Sequence, residues 1–524
     1  MANDGRGSLS SKGRVKTLAT AVVALLVLLV GFWASFEKVG TPMDEGMLLV
    51  YPELVSHGQI PYRDFETFYG PANPYFLAGA FQLFGTHIFT ERGVGLLYRV
   101  IVMLAIFGIA RRWGTVVSTG GMLIAGALLI CTDLIASAWI AGVGCVLASL
   151  WVISSSHFRA RCFFAGSLGG LALLFRPDLG PALVLSALPF LWCAGWRERG
   201  HYFVGLALSL LPLAIVTLLA GIGNVWDNLF FYPVIVSNPG RRLPLFFAAP
   251  FVLRLLVLHL ITGLVIVASA VLELRRNHGS VRGLLLFSMG ILALCLTPQA
   301  IQRLDVGHFL YAAIASLPLL PVAVASLFPE KKTTARKNVT ATAVVLGAIV
   351  LIGLTAPDVT TRVHNGYTLG LSRSIQTAIF VERNGRAFPF GSLEEARDAT
   401  RLFKKLQAVS KPGERLFVGP GDLRRTNYCD TFIYHLFPEL HPASYFLEMN
   451  PFSANRPHTR LAADVSSADW LVLDQEMDNW REPNRSTEFG DDAPNRVVLA
   501  EFTPIAQYGS YILFQRQAAP EKAR

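Results

Sequence analysis

The stretch LATAVVALLVLLVGFWASF, residues 18–36, decides the class of fold, and the acidic pair Asp44-Glu45 follows it after a short connection. A membrane-spanning helix needs about 20 mostly apolar residues, so this run is long enough to cross a bilayer. It is too long for the apolar core of a signal peptide, and no small-residue cleavage site follows at Phe36-Glu37-Lys38. We therefore expect a membrane span that is retained in the mature protein.

Ten further apolar runs follow the first, so the sequence predicts a polytopic α-helical membrane protein with about eleven transmembrane helices. The second, fifth and sixth spans are short. The ten runs lie near residues 94–110, 114–131, 135–154, 162–175, 180–196, 202–222, 247–273, 283–300, 309–328 and 339–355.

The composition agrees with a membrane protein. Hydrophobic residues make up 52% of the 524 residues and charged residues 16%, against about a quarter charged in an average soluble protein. These values exclude a soluble globular enzyme, a disordered regulator and a disulfide-rich secreted domain. The net charge of +10 sits in short clusters between the apolar runs. It therefore indicates membrane topology rather than a nucleic-acid partner.

The basic residues concentrate before the first span and in every second loop after it, which predicts a cytoplasmic N-terminus. An odd number of spans then places the C-terminal region outside the cytoplasm. The residues on the predicted cytoplasmic side are Arg6, Lys12, Arg14, Lys16, Arg111, Arg112, Arg159, Arg161, Arg197, Arg199, Arg275, Arg276, Arg282, Lys331, Lys332, Arg336 and Lys337.

This topology divides the chain into a cytoplasmic tail (1–17), a transmembrane domain (18–356) with a first outer loop (37–92), and a periplasmic or extracytoplasmic domain (357–524). The last domain has an α/β pattern. It contains an Asn384-Gly385 hairpin signal and a Ser392-Leu-Glu-Glu395 capping box before an apolar helical stripe. We predict strands at 416–419, 470–473, 497–502 and 511–515.

The first outer loop carries the densest set of chemical groups. It contains Thr41-Pro-Met-Asp44-Glu45-Gly, then PYRDF at residues 61–65 and YGP at residues 69–71. A base at a membrane surface must be held within hydrogen-bond reach of its proton, and a short tether to a span would hold it there. A structural role for the same residues is equally open, because Thr41 can cap a helix whose dipole favours the acids.

These motifs resemble the GT-C superfamily of membrane glycosyltransferases, in particular the bacterial branch related to protein O-mannosyltransferases and aminoarabinose transferases. The resemblance extends over most of the chain in order. It includes three further stretches: LLFRPDLG at residues 173–180, RLDVGHF at residues 303–309, and a set in the outer domain of PASY at residues 442–445, Asp464 and ADWLVL at residues 468–473.

The resemblance implies a sugar donor on a polyprenyl phosphate and a first-loop acid as catalytic base. That role falls on Asp44, with Glu45 as its neighbour or substitute. In such a transfer the polyprenyl phosphate is the leaving group. Arginine suits it because the planar guanidinium group pairs with phosphate oxygens. The candidate donor-phosphate ligands are Arg303, His308, Arg176 and Arg63.

Simpler roles remain open for these cations, because an arginine at the end of a span can extend to the lipid headgroups. Arg63 can also simply pair with the adjacent Asp64. Secondary candidates are Arg99, which lies deep in a span, and Asp133 and Asp178 at the outward ends of spans. Residues 71–85 are too short to span and predict an interfacial helix beside a lipid entry cleft.

We expect neither a cofactor nor a metal ion, because the outer loops carry no D-x-D motif and no His/Cys cluster. If an ion did bind, Asp44 and Asp133 would be the first ligands to test. The expected partners are the polyprenyl-phosphate sugar, a lipid or glycan acceptor and membrane lipids, with no nucleic acid. Two other classes stay open: a transporter or flippase of lipid-linked sugars, and a non-catalytic scaffold for envelope assembly.

Overall fold

The computed structural model describes residues 11–155, 160–328, 334–372 and 378–517. Four of the basic residues used to predict the topology, Arg6, Arg159, Lys331 and Lys332, lie outside the described residues. The described chain divides into two compact units, which we call the helical unit and the mixed unit. The helical unit comprises residues 1–36, 93–214 and 244–375, and the mixed unit comprises residues 37–92, 215–243 and 376–524.

Apolar helices account for every predicted span, which confirms the predicted class of fold. Seven are long and apolar enough to cross a membrane, and four are shorter. The second span is longer than we predicted, because its helix begins at Ile88 and already includes Glu91 and Arg92. The helices are Ser11–Trp33, Ile88–Ala110, Thr115–Ile130, Ala138–Ile153, Arg161–Phe175, Gly180–Cys193, Trp196–Ser209 with Leu211–Ala220, Pro250–Arg276, Val281–Gln302, Val306–Ala313 with Leu320–Leu327, and Thr334–Thr355.

Small residues let neighbouring helices of the helical unit approach closely. A Cβ atom added at Gly166 would lie 1.9 Å from the carbonyl oxygen of Tyr202, and one added at Gly205 would lie 2.1 Å from that of Phe163. The two helices therefore pack backbone against backbone, which is the common mode where apolar burial gives no driving force between helices. An amphipathic helix, Pro357–Ser372, follows the last span within the same unit.

The mixed unit contains a five-stranded sheet with the order β4-β3-β5-β7-β6. Strand β3 is parallel to β4 and β5, whereas β7 is antiparallel to β5 and β6. A separate hairpin, β1–β2, turns at Asn384-Gly385, where both residues have positive φ, as predicted. The strands are β1 Ile379–Arg383, β2 Arg386–Phe390, β3 Arg415–Pro420, β4 His441–Pro442, β5 Trp470–Asp474, β6 Phe502–Tyr508 and β7 Tyr511–Arg516.

The helix Leu393–Val409 confirms the capping box, because the Ser392 hydroxyl accepts a hydrogen bond from the Glu395 amide. The predicted strand at 497–502 is wrong. Residues Ala493–Glu501 form a helix, and the strand begins only at Phe502. A short apolar run does not distinguish a helix from a buried strand. Here Pro494 in the first turn and the Asp491 carboxylate, which accepts from the Ala493 amide, favour the helix.

The other helices of the mixed unit come from the first outer loop, from residues 215–243 and from the C-terminal part of the chain. Asp44–Ser56 forms the helix that carries the acidic pair, which we call the first-loop helix. Ala72–Phe84 is helical, as predicted, and leaves Leu83 and Phe84 largely exposed. The other short helices are Ile222–Trp226, the π-helix Asp227–Val236, Asn238–Arg241, Phe432–Leu436 and Leu461–Ser466.

Candidate active site

The two acids at the start of the first-loop helix have different environments. Glu45 is fully buried and forms a bidentate ion pair with Arg92, whose Nε and Nη2 lie 2.6 Å and 2.8 Å from the two carboxylate oxygens. Arg92 also donates to the carbonyl oxygen of Lys38. Asp44 is only partly buried. Glu45 is therefore fixed in place, while Asp44 is partly exposed at the N-terminus of the helix, where the helix dipole favours its negative charge.

Two contacts fix this helix to the C-terminal part of the mixed unit. A Cβ atom added at Gly46 would lie 2.4 Å from the amide nitrogen of Phe432, so the two backbones touch. At the other end Glu53 pairs with Arg386 at 2.6 Å and accepts from the buried His435 ring at 3.2 Å. Burial lowers the pKa of His435, although Glu53 acts in the opposite direction.

Two further buried carboxyl groups, Glu66 and Glu448, lie beside the first-loop helix. The Tyr51 hydroxyl donates to Glu448 Oε1 at 2.6 Å and lies 3.0 Å from the Glu66 carbonyl oxygen. The Asn450 amide donates to Glu448 Oε2 at 3.0 Å, and the Ser453 hydroxyl donates to the Glu66 carboxyl. Burial raises the pKa of Glu66 to about 8, and the Glu448 charge adds to the rise. Burial also raises the pKa of Glu448, although the hydrogen bonds from Tyr51 and Asn450 lower it.

Guanidinium groups balance part of this negative charge. Arg241 lies over the Phe68 ring at 5.5 Å from its centroid, and Arg456 lies over the Tyr232 ring at 4.6 Å. The Arg456 guanidinium also donates to the Tyr232 hydroxyl at 2.9 Å. Stacking on aromatic faces holds these cations in defined positions near the two buried acids. In the mixed unit Arg456 and Arg241 thus act electrostatically on Glu66 and Glu448, respectively.

Arg63, predicted as a phosphate ligand, lies on an exposed turn of the first loop. Its guanidinium pairs with Asp64 through two hydrogen bonds of 2.9 Å. Asp64 also accepts from the Ile60 amide at 2.7 Å, so the Arg-Asp pair closes the turn. The turn has a left-handed residue, Tyr62, with φ 71°, held by hydrogen bonds of its amide and hydroxyl groups. This geometry fits the simpler role, in which the pair organises the loop.

The other predicted phosphate ligands lie in the helical unit, at the ends of helices. Asp305 caps the helix Val306–Ala313 by accepting from the His308 amide, and its carboxylate also contacts the His308 ring at 2.8 Å and Arg303 at 3.3 Å. Arg176 pairs with Asp178 at 2.6 Å. Asp178 accepts a further hydrogen bond from Gln299, which joins two helix ends.

Arg99 and Asp133, the remaining secondary candidates, are joined through the backbone. Arg99 is fully buried and donates to the carbonyl oxygens of Gly95 at 2.8 Å and Ile135 at 3.0 Å, and also to that of Asp133. The contacts with Asp133 and Ile135 satisfy carbonyl groups just beyond the C-terminus of the helix Thr115–Ile130, and the Gly95 carbonyl belongs to the helix of Arg99 itself. The Asp133 side chain is exposed.

Comparison with known proteins identifies the fold. No family model matches the sequence, and no curated protein matches it either. Among solved structures, the chain is similar to ArnT from Cupriavidus metallidurans, bound to undecaprenyl phosphate (TM-score 0.55) and in the apo state (TM-score 0.56), at 16% identity. The match covers 96% of this chain and 98–99% of ArnT. The chain has the GT-C fold. An oligosaccharyltransferase from Archaeoglobus fulgidus is also similar, at 12% identity over 94% of this chain and 72% of that one, with a TM-score of 0.47.

This fold is the one that the resemblance implied, and together with the apolar helices it supports a multi-pass membrane protein. Sequence reasoning missed several residues that the fold brings to the first loop. The contact of Arg92 with Glu45 has no sequence signal. Glu66 directly follows the PYRDF motif but did not stand out from it. Glu448 follows the PASY stretch at residues 442–445 by three residues but was not part of it.

Proposed function

We propose that this chain is a glycosyltransferase of the cell membrane that moves a single sugar from a polyprenyl-phosphate donor to a lipid, polysaccharide or protein acceptor of the cell envelope. The reaction would take place at the outer face of the membrane, with the N-terminus cytoplasmic and the C-terminal domain extracytoplasmic. The fold supports this class of reaction. The observation that carries the proposal is the place of Asp44, partly exposed at the start of the first-loop helix and next to the buried Glu45–Arg92 pair.

In the proposed mechanism Asp44 is the general base of a single inverting displacement. Asp44 takes the proton from an acceptor hydroxyl, and the oxygen attacks the anomeric carbon. The bond between that carbon and the phosphate oxygen breaks, and the polyprenyl phosphate leaves with the electron pair. Glu45 has both carboxylate oxygens bonded to Arg92, so it suits the role of holding the helix that presents Asp44.

The leaving phosphate gains negative charge in this step, so fixed cations near it lower the barrier. Arg303, His308 and Arg176 remain our proposed ligands, because helix ends hold them and each is only partly buried. Their carboxylate partners fix their orientation in the absence of donor. Arg63 is a further candidate on its exposed turn. We propose no metal-dependent step, so chelation with EDTA should leave the rate unchanged.

The test is transfer in vitro by purified wild type and Asp44→Asn, with a panel of radiolabelled polyprenyl-phosphate sugars and a membrane extract as acceptor. A general base contributes typically 10²–10⁴-fold, so label transfer should fall by about that factor in Asp44→Asn. Donor binding should remain. Asp358→Asn, an exposed aspartate of the helical unit, is the matched control and should transfer as wild type does.

The two other function classes predict different outcomes. A transporter of lipid-linked sugars would bind a donor and move it across a vesicle membrane without transferring label. A scaffold would bind no donor, and Asp44→Asn would support envelope assembly as well as wild type. Equal transfer by wild type and Asp44→Asn would remove Asp44 from the mechanism.

A further inference from the structure

The helical unit contains a cavity of about 210 Å³ between the ends of four helices, on the side that the basic residues predict to be cytoplasmic. This volume is many times what one water molecule needs, but it is below the roughly 300–1,000 Å³ of pockets that enclose a whole small molecule. The cavity therefore has room for the headgroup of a lipid rather than for a complete lipid. The four helices are Ala138–Ile153, Arg161–Phe175, Gly180–Cys193 and Val281–Gln302.

The lining of the cavity combines a cation with apolar side chains. The cation is Arg161, and the buried side chains of Phe190 and Leu284 lie on the same lining. The Arg161 guanidinium donates to a Glu198 carboxylate oxygen at 2.9 Å and to the Ser155 carbonyl oxygen at 3.3 Å, which hold it at the cavity. Such a lining suits an amphiphile with an anionic headgroup, because a guanidinium pairs with phosphate oxygens.

Positive charge is in excess around the cavity. The Arg112 guanidinium donates at 2.9 Å to the hydroxyl of Ser154, a lining residue, and Arg282 donates to the Arg112 carbonyl oxygen at 2.8 Å. Basic loops alone indicate only topology, whereas a cavity gives this charge a place to bind one anion. The charged residues of the adjoining segments are Arg111, Arg112, Arg161, Arg197, Arg199, Arg275, Arg276 and Arg282, against Glu198 and Glu273.

Exposed tryptophans place the cavity at the level of the lipid headgroups. Trp192 and Trp196 are 78% and 85% exposed, and they flank Cys193, which lines the cavity. Trp151 is also exposed and lies two residues before Ile153, another lining residue. Tryptophan is enriched at the membrane–water interface, where its ring lies among the headgroups. The depth of the cavity thus matches that of the lipid phosphates.

We propose that this cavity binds the headgroup phosphate of an anionic glycerophospholipid, drawn from the leaflet around these helix ends. The Arg161 guanidinium pairs with the phosphate oxygens, and Phe190 and Leu284 contact the glycerol and the first methylene groups of a chain. The lipid thereby joins four helices that otherwise meet at an open space. The proposal does not depend on the proposed function, because it uses no residue of the proposed mechanism.

The experiment uses Cys193 as a reporter inside the cavity. It is the one exposed cysteine of the six, all of which lie within the described residues. The rate of alkylation of Cys193 by an uncharged maleimide is measured on delipidated protein in a nonionic detergent, with increasing phosphatidylglycerol. At a lipid concentration of about ten times Kd the free fraction, and with it the rate, should fall by about tenfold. Phosphatidylcholine should slow the reaction much less, because its choline cation meets the excess of arginine.

The role of the cation is tested by substitution of Arg161. In Arg161→Gln the phosphatidylglycerol concentration that gives half of the protection should rise by about tenfold, since a hydrogen bond to a charged group is lost. Arg161→Lys keeps the charge without the planar fork and should give an intermediate value. Arg197→Gln is the matched control: Arg197 is exposed, lies four residues beyond Cys193 and is not among the described residues that line the cavity. It should be protected as wild type is.

Four results would overturn the proposal. They are no protection by phosphatidylglycerol, equal protection by phosphatidylcholine, equal protection by inorganic phosphate, which would assign a free anion, and unchanged protection in Arg161→Gln. If Arg161→Gln does not fold, Val281→Trp replaces it, because Val281 lines the cavity and the larger side chain fills it. Phosphatidylglycerol should then not slow the alkylation further, and a persistent tenfold slowing in that variant would contradict binding inside the cavity.

Discussion

Glu66 is one of the two buried carboxyl groups beside the first-loop helix, and its environment can be tested without an activity assay. Its side chain is 1% exposed, and the Ser453 hydroxyl donates to one carboxyl oxygen. The other oxygen, Oε2, has no hydrogen-bond partner within the described residues. A charged carboxylate in that position would be costly, because a buried charge needs a full set of partners. We expect Glu66→Gln, which resembles the protonated acid in shape and charge, to remove this cost.

The size of the effect follows from the two pKa values. The group has a pKa of 4.5 in the unfolded chain and about 8 in the folded one. Because the folded pKa is the higher, the folded state binds the proton more tightly, and stability falls as pH rises from 4.5 through 8. This titration lowers the free energy of unfolding of the wild type by about 1 kcal/mol at pH 5 and by about 4 kcal/mol at pH 8.

The assay is thermal unfolding of wild type and Glu66→Gln in the same detergent at pH 5 and at pH 8. The free energy of unfolding of the variant, relative to that of the wild type, should rise by about 3 kcal/mol from pH 5 to pH 8. For a unit of this size that difference corresponds to about 6–12 °C in Tm. Other titrating groups cancel in the comparison of the two proteins. Glu488→Gln should show no such growth, since Glu488 is an exposed partner of Arg485.

A constant difference in Tm at both pH values would refute the reasoning, because it would show that Glu66 does not change its charge in this range. A variant that is less stable than wild type at pH 8 would refute it more directly. That result would mean that the charged form of Glu66 is stabilised by partners in the folded protein.

Three further predictions follow from the geometry of the two units. Glu45→Gln leaves its buried arginine partner without a counter-charge, so the free energy of unfolding should fall by about 3–5 kcal/mol; a loss below 1 kcal/mol in chemical unfolding would contradict this. Gly46→Ala places a Cβ atom 2.4 Å from the Phe432 amide and should cost about 1–3 kcal/mol, whereas Gly79→Ala, which has open space in a helix, should stabilise the protein by up to about 1 kcal/mol in the same assay. Arg303→Gln should lower kcat by about 10²-fold and change KM little, because charge develops on the phosphate in the transition state; steady-state kinetics that show mainly a higher KM would contradict that role.

The fold could be predicted from the sequence because its strongest signals are local. Apolar runs define the spans, and a single Asn-Gly turn and a single capping serine define elements of the C-terminal part. Errors occurred where the local signal was ambiguous. The helix Ala493–Glu501 has an apolar run that also fits a strand. The helix Ile88–Ala110 has the charged residues Glu91 and Arg92 near its start. A hydropathy criterion excludes them from a span, although both are buried.

The site was predicted less completely, because its geometry depends on contacts between residues far apart in the chain. The acidic pair stood out through its distance from the first span, and only the resemblance, not the pattern of residues, favoured Asp44 over Glu45 as the base. Arg92 lies 47 residues beyond Glu45, and Glu448 lies 397 residues beyond its hydrogen-bond partner Tyr51. Neither pairing leaves a periodic or compositional signal, so each required the structure.

The geometry of a helix explains why two adjacent acids have different environments. Consecutive residues of an α-helix point about 100° apart, so only one member of the Asp44-Glu45 pair can face the buried Arg92. Glutamate suits that position, since both of its carboxylate oxygens meet the guanidinium fork. Asp44, the first residue of the same helix, is only partly buried. We infer that the buried pair restrains the first turn, so that the base is held in place before an acceptor hydroxyl arrives.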